Sequence, residues 1–160
     1  MNDTTVIAIA QRLLARHEWL ATAESCTGGL VAKCLTDLAG SSQWFERGLV
    51  TYSNRAKTEL LGVPAALLNQ HGAVSGEVAE AMALGLQARA PVQWTLAVTG
   101  VAGPGGGTPE KPVGTVWAAF ANQGKTEIRR YNFSGDREQV REQTAQAVLM
   151  RLLEKLNDAD

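Results

Sequence analysis

Residues 114–133 read GTVWAAFANQGKTEIRRYNF, two runs rich in β-branched and aromatic residues on either side of the short turn Asn122-Gln123-Gly124. This pattern predicts a β-hairpin. The hairpin decides the fold class because of what precedes it. In TTVIAIAQRLLARH the apolar periodicity predicts a first helix, and WLATAES reads as a short strand after it. From Thr27 to Leu38 the pattern is helical again, with Gly40 as its stop. WFERGLVTYSN then reads as a strand, followed by a short helix NRAKTELL capped by Asn54 and closed at Gly62. One or two helical turns follow in PAALLNQHG, and Ser75 caps a helix through about Arg89 with Glu77 in its first turn. QWTLAVTG is a buried-looking strand that runs into VAGPGGGTPEKPVG, a loop dense in glycine and proline. After the hairpin, Asp136 and Gln139 are spaced as a capping box. Val140, Val148, Leu152 and Leu156 form the apolar stripe of a long amphipathic last helix.

Alternating helices and strands call for parallel pairing, whereas a hairpin must pair antiparallel. The expectation is therefore an α/β protein, a three-layer α/β/α sandwich with a mixed β-sheet. At 160 residues it is expected to form one domain over residues 1–160, large enough to bury a core without staples. With 45% hydrophobic and 19% charged residues, the composition is that of an ordinary soluble protein. A net charge of -1 argues against nucleic-acid binding, which normally needs a basic excess. No apolar run approaches the roughly 20 residues that span a bilayer, so no membrane partner is expected. The N-terminus places acid before its apolar part and lacks a small-residue cleavage site, which excludes a secretory signal. Cys26 and Cys34, the only two cysteines, suggest neither a zinc site nor a disulfide framework. A cytoplasmic location follows as the simplest expectation, with no metal and no cofactor.

What could carry chemistry is scarce. The two histidines, His17 and His71, have no metal-ligand spacing and no evident serine–acid partners, which disfavours a Ser-His-Asp triad. GKT at 124–126 resembles the end of a phosphate loop, but Ala119 stands where the first glycine belongs. GPGGGT lacks the dinucleotide fingerprint, and no helix follows it.

TAESCTGG, residues 22–29, is different. It takes a strand through a sharp turn into a helix, where the first backbone N–H groups are unpaired and the dipole is positive. Those donors suit an oxyanion, and the glycines permit close approach of a substrate. Ser25 reads either as an attacking hydroxyl or, with Thr27, as a helix cap. A serine needs a base, and with histidine scarce a desolvated lysine is the next candidate. VTYSNRAKTELLG supplies Tyr52, which could relay a proton, and Lys57, which reads equally as a solvated surface residue. The spacing of Tyr52 to Lys57 is one too long for the YxxxK pair of short-chain dehydrogenases. Cys26 is a rival nucleophile without a base at a telling spacing, and reads better as a small buried residue under the turn.

Five stretches, TAESCTGG, GSSQWFERGLVTYSNRAKTELLGV, HGAVS, VTGVAGPGGGTPEKPVGTVW and FSGDREQVR, occur in this order in one known family. The chain resembles the C-terminal domain of the competence-damage-inducible protein CinA from about Ala8 to Leu153, and in particular the stand-alone nicotinamide-nucleotide amidases. That resemblance implies hydrolysis of the carboxamide of nicotinamide mononucleotide to nicotinate mononucleotide and ammonia, a step that recycles pyridine nucleotides in bacteria. It implies a serine–lysine amidohydrolase assisted by a tyrosine, with Ser25, Lys57 and Tyr52 in those positions. Larger CinA proteins carry an additional N-terminal domain, for which no counterpart is expected in these residues.

In this scheme the oxyanion donors are expected among Cys26, Thr27, Gly28 and Gly29. The substrate phosphate is expected on the loop after the third strand, around Thr99, Gly100, Gly103 and Gly105. Arg137 and Arg141, four apart on the last helix, are expected to reach the same anion. Lys111 is less suited, being flanked by a proline. The alternative is a non-catalytic pyridine-nucleotide-binding or regulatory module. Trp44 and Phe45, read as exposed apolar residues, suggest a homodimer.

Overall fold

The computed structural model describes residues 3–159, as six helices and five strands. In chain order these are α1 (Asp3–Arg16), β1 (Leu20–Glu24), α2 (Leu30–Thr36), β2 (Phe45–Val50), α3 (Asn54–Leu61), α4 (Ala65–His71), α5 (Gly76–Arg89), β3 (Trp94–Gly100), β4 (Thr115–Asn122), β5 (Lys125–Asn132) and α6 (Arg137–Asp158). One sheet has the order β2-β1-β3-β4-β5. Its first three strands are parallel, and β4 and β5 are antiparallel. The mixed sheet thus has the origin expected: crossovers build its parallel half, and the hairpin builds the rest.

Strand alternation sorts the residues onto two different cores. Leu20, Leu96, Val98, Val116 and Phe120 face one side, where they pack with Val6, Ile9 and Leu13 of α1, Val31 and Leu35 of α2, and the stripe of α6. Val140, Val148, Leu152 and Leu156 are fully sequestered there, and each contributes about 1.5–3 kcal/mol by leaving water. The opposite face presents Ala21, Ala23, Ala97, Ala119 and Ala121 to Val78, Met82 and Leu86 of α5, with Leu61 of α3 and Leu68 of α4. Alanines let the helices lie close to the sheet. A Cβ on Gly85 would collide with the Leu61 carbonyl, so α5 and α3 meet only because that position is glycine.

Several boundaries differ from the sequence reading. α2 starts at Leu30 and not at Thr27, because residues 25–29 form a turn in which Gly28 and Gly29 have φ of 59° and 104°. It ends at Thr36 with Asp37 as its C-cap, before Gly40 is reached. β2 stops at Val50, and Thr51 to Ser53 bend into α3, which is capped by Ser53 accepting from Ala56 N–H; Asn54 is the first residue of that helix. Trp44 lies before β2 and is 1% exposed within the α1–α6 core, and Phe45 packs beside it. The surface patch on which a homodimer was expected is therefore not there. The Ser75 cap and the Asp136/Gln139 capping box form as their spacing requires.

β1 leaves through α2 towards β2 on one side, whereas its other neighbour β3 runs on towards β4. Connections that part in this way open a crevice at the carboxyl ends of the two strands.

Candidate active site

That crevice is a cleft of about 300 Å³. The turn after β1 contributes Ser25 and Cys26, the bend after β2 contributes Tyr52, and Asn54 and Lys57 come from α3. Ala73 and Val74 come from the segment before α5, residues 99–103, 105 and 106 from the end of β3 and its loop, and Arg137 from the start of α6. Depressions of about 430 Å³ and 450 Å³ elsewhere on the surface bring no serine together with a lysine.

Ser25 continues the alternation of Ala21 and Ala23, so its side chain takes the α3 side of the sheet while Glu24 takes the α2 side. Lys57 sits on the first turns of α3 and is 1% exposed. Its Nζ lies 3.0 Å from Ser25 Oγ, 3.0 Å from the Thr51 carbonyl and 3.2 Å from the Tyr52 carbonyl. Burial pushes its pKa below the ordinary 10.5, and the neighbouring Cys26 acts weakly in the opposite sense. Among the described residues no carboxylate contacts the amine, so no counter-charge offsets its loss of water. With the two carbonyls accepting the two hydrogens of a neutral amine, the lone pair is left for the serine hydroxyl.

The early end of β2 has a purpose in this geometry. Thr51 keeps one ladder-like bond, from its N–H to the Glu24 carbonyl, and then the chain turns so that two successive carbonyls face Lys57. The Tyr52 side chain points elsewhere. Its ring is 58% exposed at the cleft rim, and its hydroxyl meets Arg137 Nη2 at 3.0 Å. A relay between Ser25 and Lys57 through this phenol is not what the structure presents; the backbone of Tyr52 touches the lysine.

The turn also departs from expectation. Glu24 accepts from Gly29 N–H, Val31 N–H and Ala32 N–H, and Gly28 N–H bonds to the Ser25 carbonyl. The first N–H groups of α2 are thereby occupied. Thr27 is buried with its hydroxyl on Glu24, and neither it nor Gly28 nor Gly29 lines the cleft. Cys26 does line it, and among the described residues its N–H has no acceptor on another residue. Desolvation, reinforced by the charge of Glu24, pushes the Cys26 thiol up to about 12, against weaker opposing pulls from its own N–H, Arg141 and Lys57. A thiol held protonated is a poor nucleophile, which leaves Ser25 as the reactive side chain of the pair.

Across the cleft, Thr99 and Gly100 at the end of β3 and Gly103 and Gly105 on the loop beyond it form the wall, joined by Val101, Ala102 and Gly106. Thr99 donates to the Ala73 carbonyl at 2.9 Å and fixes that wall. A Cβ on Gly100 would stand 2.8 Å from the Thr115 carbonyl and 3.1 Å from Cys26 Sγ, so glycine there lets strand and turn touch. Arg137 bonds the Gly103 carbonyl at 2.8 Å as well as the Tyr52 hydroxyl, which places its guanidinium at the rim. Arg141 does not join it. One turn further along α6, it donates to the Thr27 carbonyl at 3.0 Å and braces the turn from behind. Lys111 is tied to the His71 carbonyl at 2.6 Å, away from the cleft lining.

Asn54, Ala73 and Val74 escaped the sequence reading as site residues. The signals were present: Asn54 is three residues before Lys57 on the same helical face, and HGAVS was among the matching stretches. Among the described residues no cluster of histidine, cysteine or acid could hold a metal, and no helix is long and apolar enough to cross a membrane.

The arrangement defines a class: an α/β domain with a serine and a buried lysine at a strand–turn–helix junction. The family model described as the CinA C-terminal domain matches residues 2–156, and the chain belongs to that family. It is 53% identical to the nicotinamide-nucleotide amidohydrolase PncC of Escherichia coli K12, over 90% of this chain and 88% of that protein. It is 56% identical to a CinA-like protein of Geotalea daltonii, over 96% of this chain but only 37% of that longer protein. The crystal structure of a CinA superfamily protein from Klebsiella pneumoniae superposes with a TM-score of 0.94 at 38% identity, covering 99% of both chains.

Proposed function

We propose that this chain hydrolyses the carboxamide of nicotinamide mononucleotide, with Ser25 as nucleophile and Lys57 as its general base and acid. The observation that carries the reading is the 3.0 Å approach of a buried, charge-isolated amine to a serine hydroxyl. Similarity to proteins named nicotinamide-nucleotide amidohydrolase supports the choice of substrate.

In the first half-reaction Ser25 Oγ bonds to the carboxamide carbon as its proton passes to Lys57 Nζ. The carbonyl oxygen becomes an oxyanion, which the free Cys26 N–H is positioned to receive. The C–N bond then breaks, Lys57 returns its proton to the departing nitrogen, and ammonia leaves an ester on Ser25. Water adds to that ester with Lys57 again accepting the proton. Breakage of the C–Oγ bond, with protonation of Oγ by Lys57, restores the serine and frees nicotinate mononucleotide. At the rim the cationic pyridinium ring can lie on Tyr52, whose exposed face suits a cation. The phosphate is assigned to Arg137, which has donors left beyond its two protein bonds, and to the unpaired N–H groups of Gly105 and Gly106.

Incubation of the purified protein with nicotinamide mononucleotide should release ammonia, and Ser25→Ala should abolish it. Binding of the nucleotide without any ammonia would instead identify a non-catalytic binding module.

A further inference from the structure

We infer that Glu24 is a positioning residue for this reaction: its buried carboxylate sets the turn that presents Ser25 and decides which backbone N–H groups remain for the oxyanion. The inference rests on the serine-nucleophile reading above.

Glu24 is 1% exposed, yet among the described residues no cation contacts its side chain. Its Oε1 accepts from Thr27 Oγ1 at 2.6 Å, Val31 N–H at 2.9 Å and Gly29 N–H at 3.2 Å, and its Oε2 accepts from Ala32 N–H at 3.0 Å. All four partners are donors, the set that an ionised carboxylate accepts from. α2 has no cap of its own, since Gly29 at its N-cap offers no side chain and no acid lies in its first turn. The preceding strand supplies what the helix lacks.

The consequence for chemistry lies in the geometry of residues 24–29. Glu24 is fixed at both ends: its backbone is in register with Val50 and Val98, and its side chain holds the start of α2. Ser25 is the next residue, with its N–H on the Val98 carbonyl. The backbone that carries Oγ therefore cannot turn away from Lys57 without breaking bonds to the buried carboxylate. With Gly28 N–H on Ser25 and Gly29 N–H on Glu24, Cys26 N–H is the cleft-lining donor of the turn that stays free.

The test compares wild type with Glu24→Gln and Thr27→Val, measuring kcat and KM for nicotinamide mononucleotide, the rate at which a fluorophosphonate labels Ser25, and thermal melting. Glutamine keeps one acceptor but turns an NH2 towards Ala32 N–H; valine removes only the Thr27 donor. Displacement of a nucleophile by about 1 Å costs on the order of 100-fold, so Glu24→Gln should lower kcat and labelling by about that factor while KM stays within about twofold. Thr27→Val should move both in the same direction by about tenfold, in line with loss of one charge-assisted hydrogen bond. Unchanged kcat and labelling in folded Glu24→Gln would overturn the assignment, as would a rise in KM alone. Should Glu24→Gln fail to fold, Thr27→Val decides, and wild-type kcat in that variant overturns it. A wild type that labels but releases no ammonia sinks the substrate reading, and the labelling rates then decide the role of Glu24. A wild type that does not label overturns both.

Discussion

The turn after β1 and the strap after β3 face each other across the cleft, and both are rich in glycine, but they are held in opposite ways. Residues 25–29 are pinned by a buried carboxylate in front, by Arg141 behind and by the sheet below. Residues 101–114 are anchored only at their ends and flanks. Gly114 N–H donates to the Val101 carbonyl and Val101 N–H to the Thr115 carbonyl, Arg137 holds the Gly103 carbonyl, Lys111 reaches the His71 carbonyl and Arg130 reaches the Glu110 carbonyl. Between them residues 104–107 are exposed, and no hydrogen bond reaches them among the described residues. The difference teaches which half does what. Bond making needs atoms fixed to a fraction of an ångström, whereas holding a phosphate needs free N–H groups that can settle around it.

If this division is right, substitutions on the turn side should act on kcat and those on the strap side on KM. The largest effect is expected from Ser25→Ala and Lys57→Met, each reducing ammonia release by about 10⁴-fold or more, as removal of a paired nucleophile or base does. Lys57→Met should nevertheless melt no lower than wild type at neutral pH, because it removes a buried cation that lost its water without gaining a counter-charge. The lowered pKa of Lys57 also fixes two pH signs. Activity should rise with pH as the amine loses its proton, with a midpoint below 10.5. In the window between the folded value and the unfolded 10.5, the unfolded chain binds the extra proton, so stability should rise with pH as well. Melting curves across the alkaline range should show that slope in wild type and lose it in Lys57→Met.

Gly100→Ala joins the two halves in one experiment. The new methyl would press on the Thr115 carbonyl and Cys26 Sγ, costing about 1–3 kcal/mol of stability by overpacking and lowering kcat by moving the turn. An unchanged kcat would mean the turn tolerates more displacement than its bonding suggests. Arg137→Ala should raise KM by about 10- to 100-fold, the value of a charge-assisted hydrogen bond, with little change in kcat. A fall in kcat with unchanged KM would move Arg137 to the reacting side. The smallest effect is expected from Tyr52→Phe. Because the phenol meets Arg137 and not the lysine, and that bond is exposed to solvent, KM should rise by only a few-fold, with kcat nearly unchanged. A large loss of kcat would restore the phenol as a proton relay.

Much of this architecture was legible along the chain. Strand alternation, the Ser75 cap, the Asp136/Gln139 box and the stripe of α6 are local patterns, set by residues within a few positions of one another. Ser25 stood out because a strand, a hydroxyl and two glycines occur together. Three expectations that depart from the geometry share one cause. Trp44 was read as exposed, Arg141 as a substrate ligand and the Tyr52 phenol as a relay, and each of these depends on a partner distant in sequence.

By itself, then, the sequence determined the elements, their order and the residues able to react, because those follow from short-range sterics and from periodic burial. Only the tertiary structure decided that Lys57 has lost its water, that Glu24 reaches forward into α2, and that Arg137 and Arg141 part company. Charge and hydrogen-bonding depend on which atoms meet in space, and residues 25 and 57 meet only after the sheet and α3 have packed.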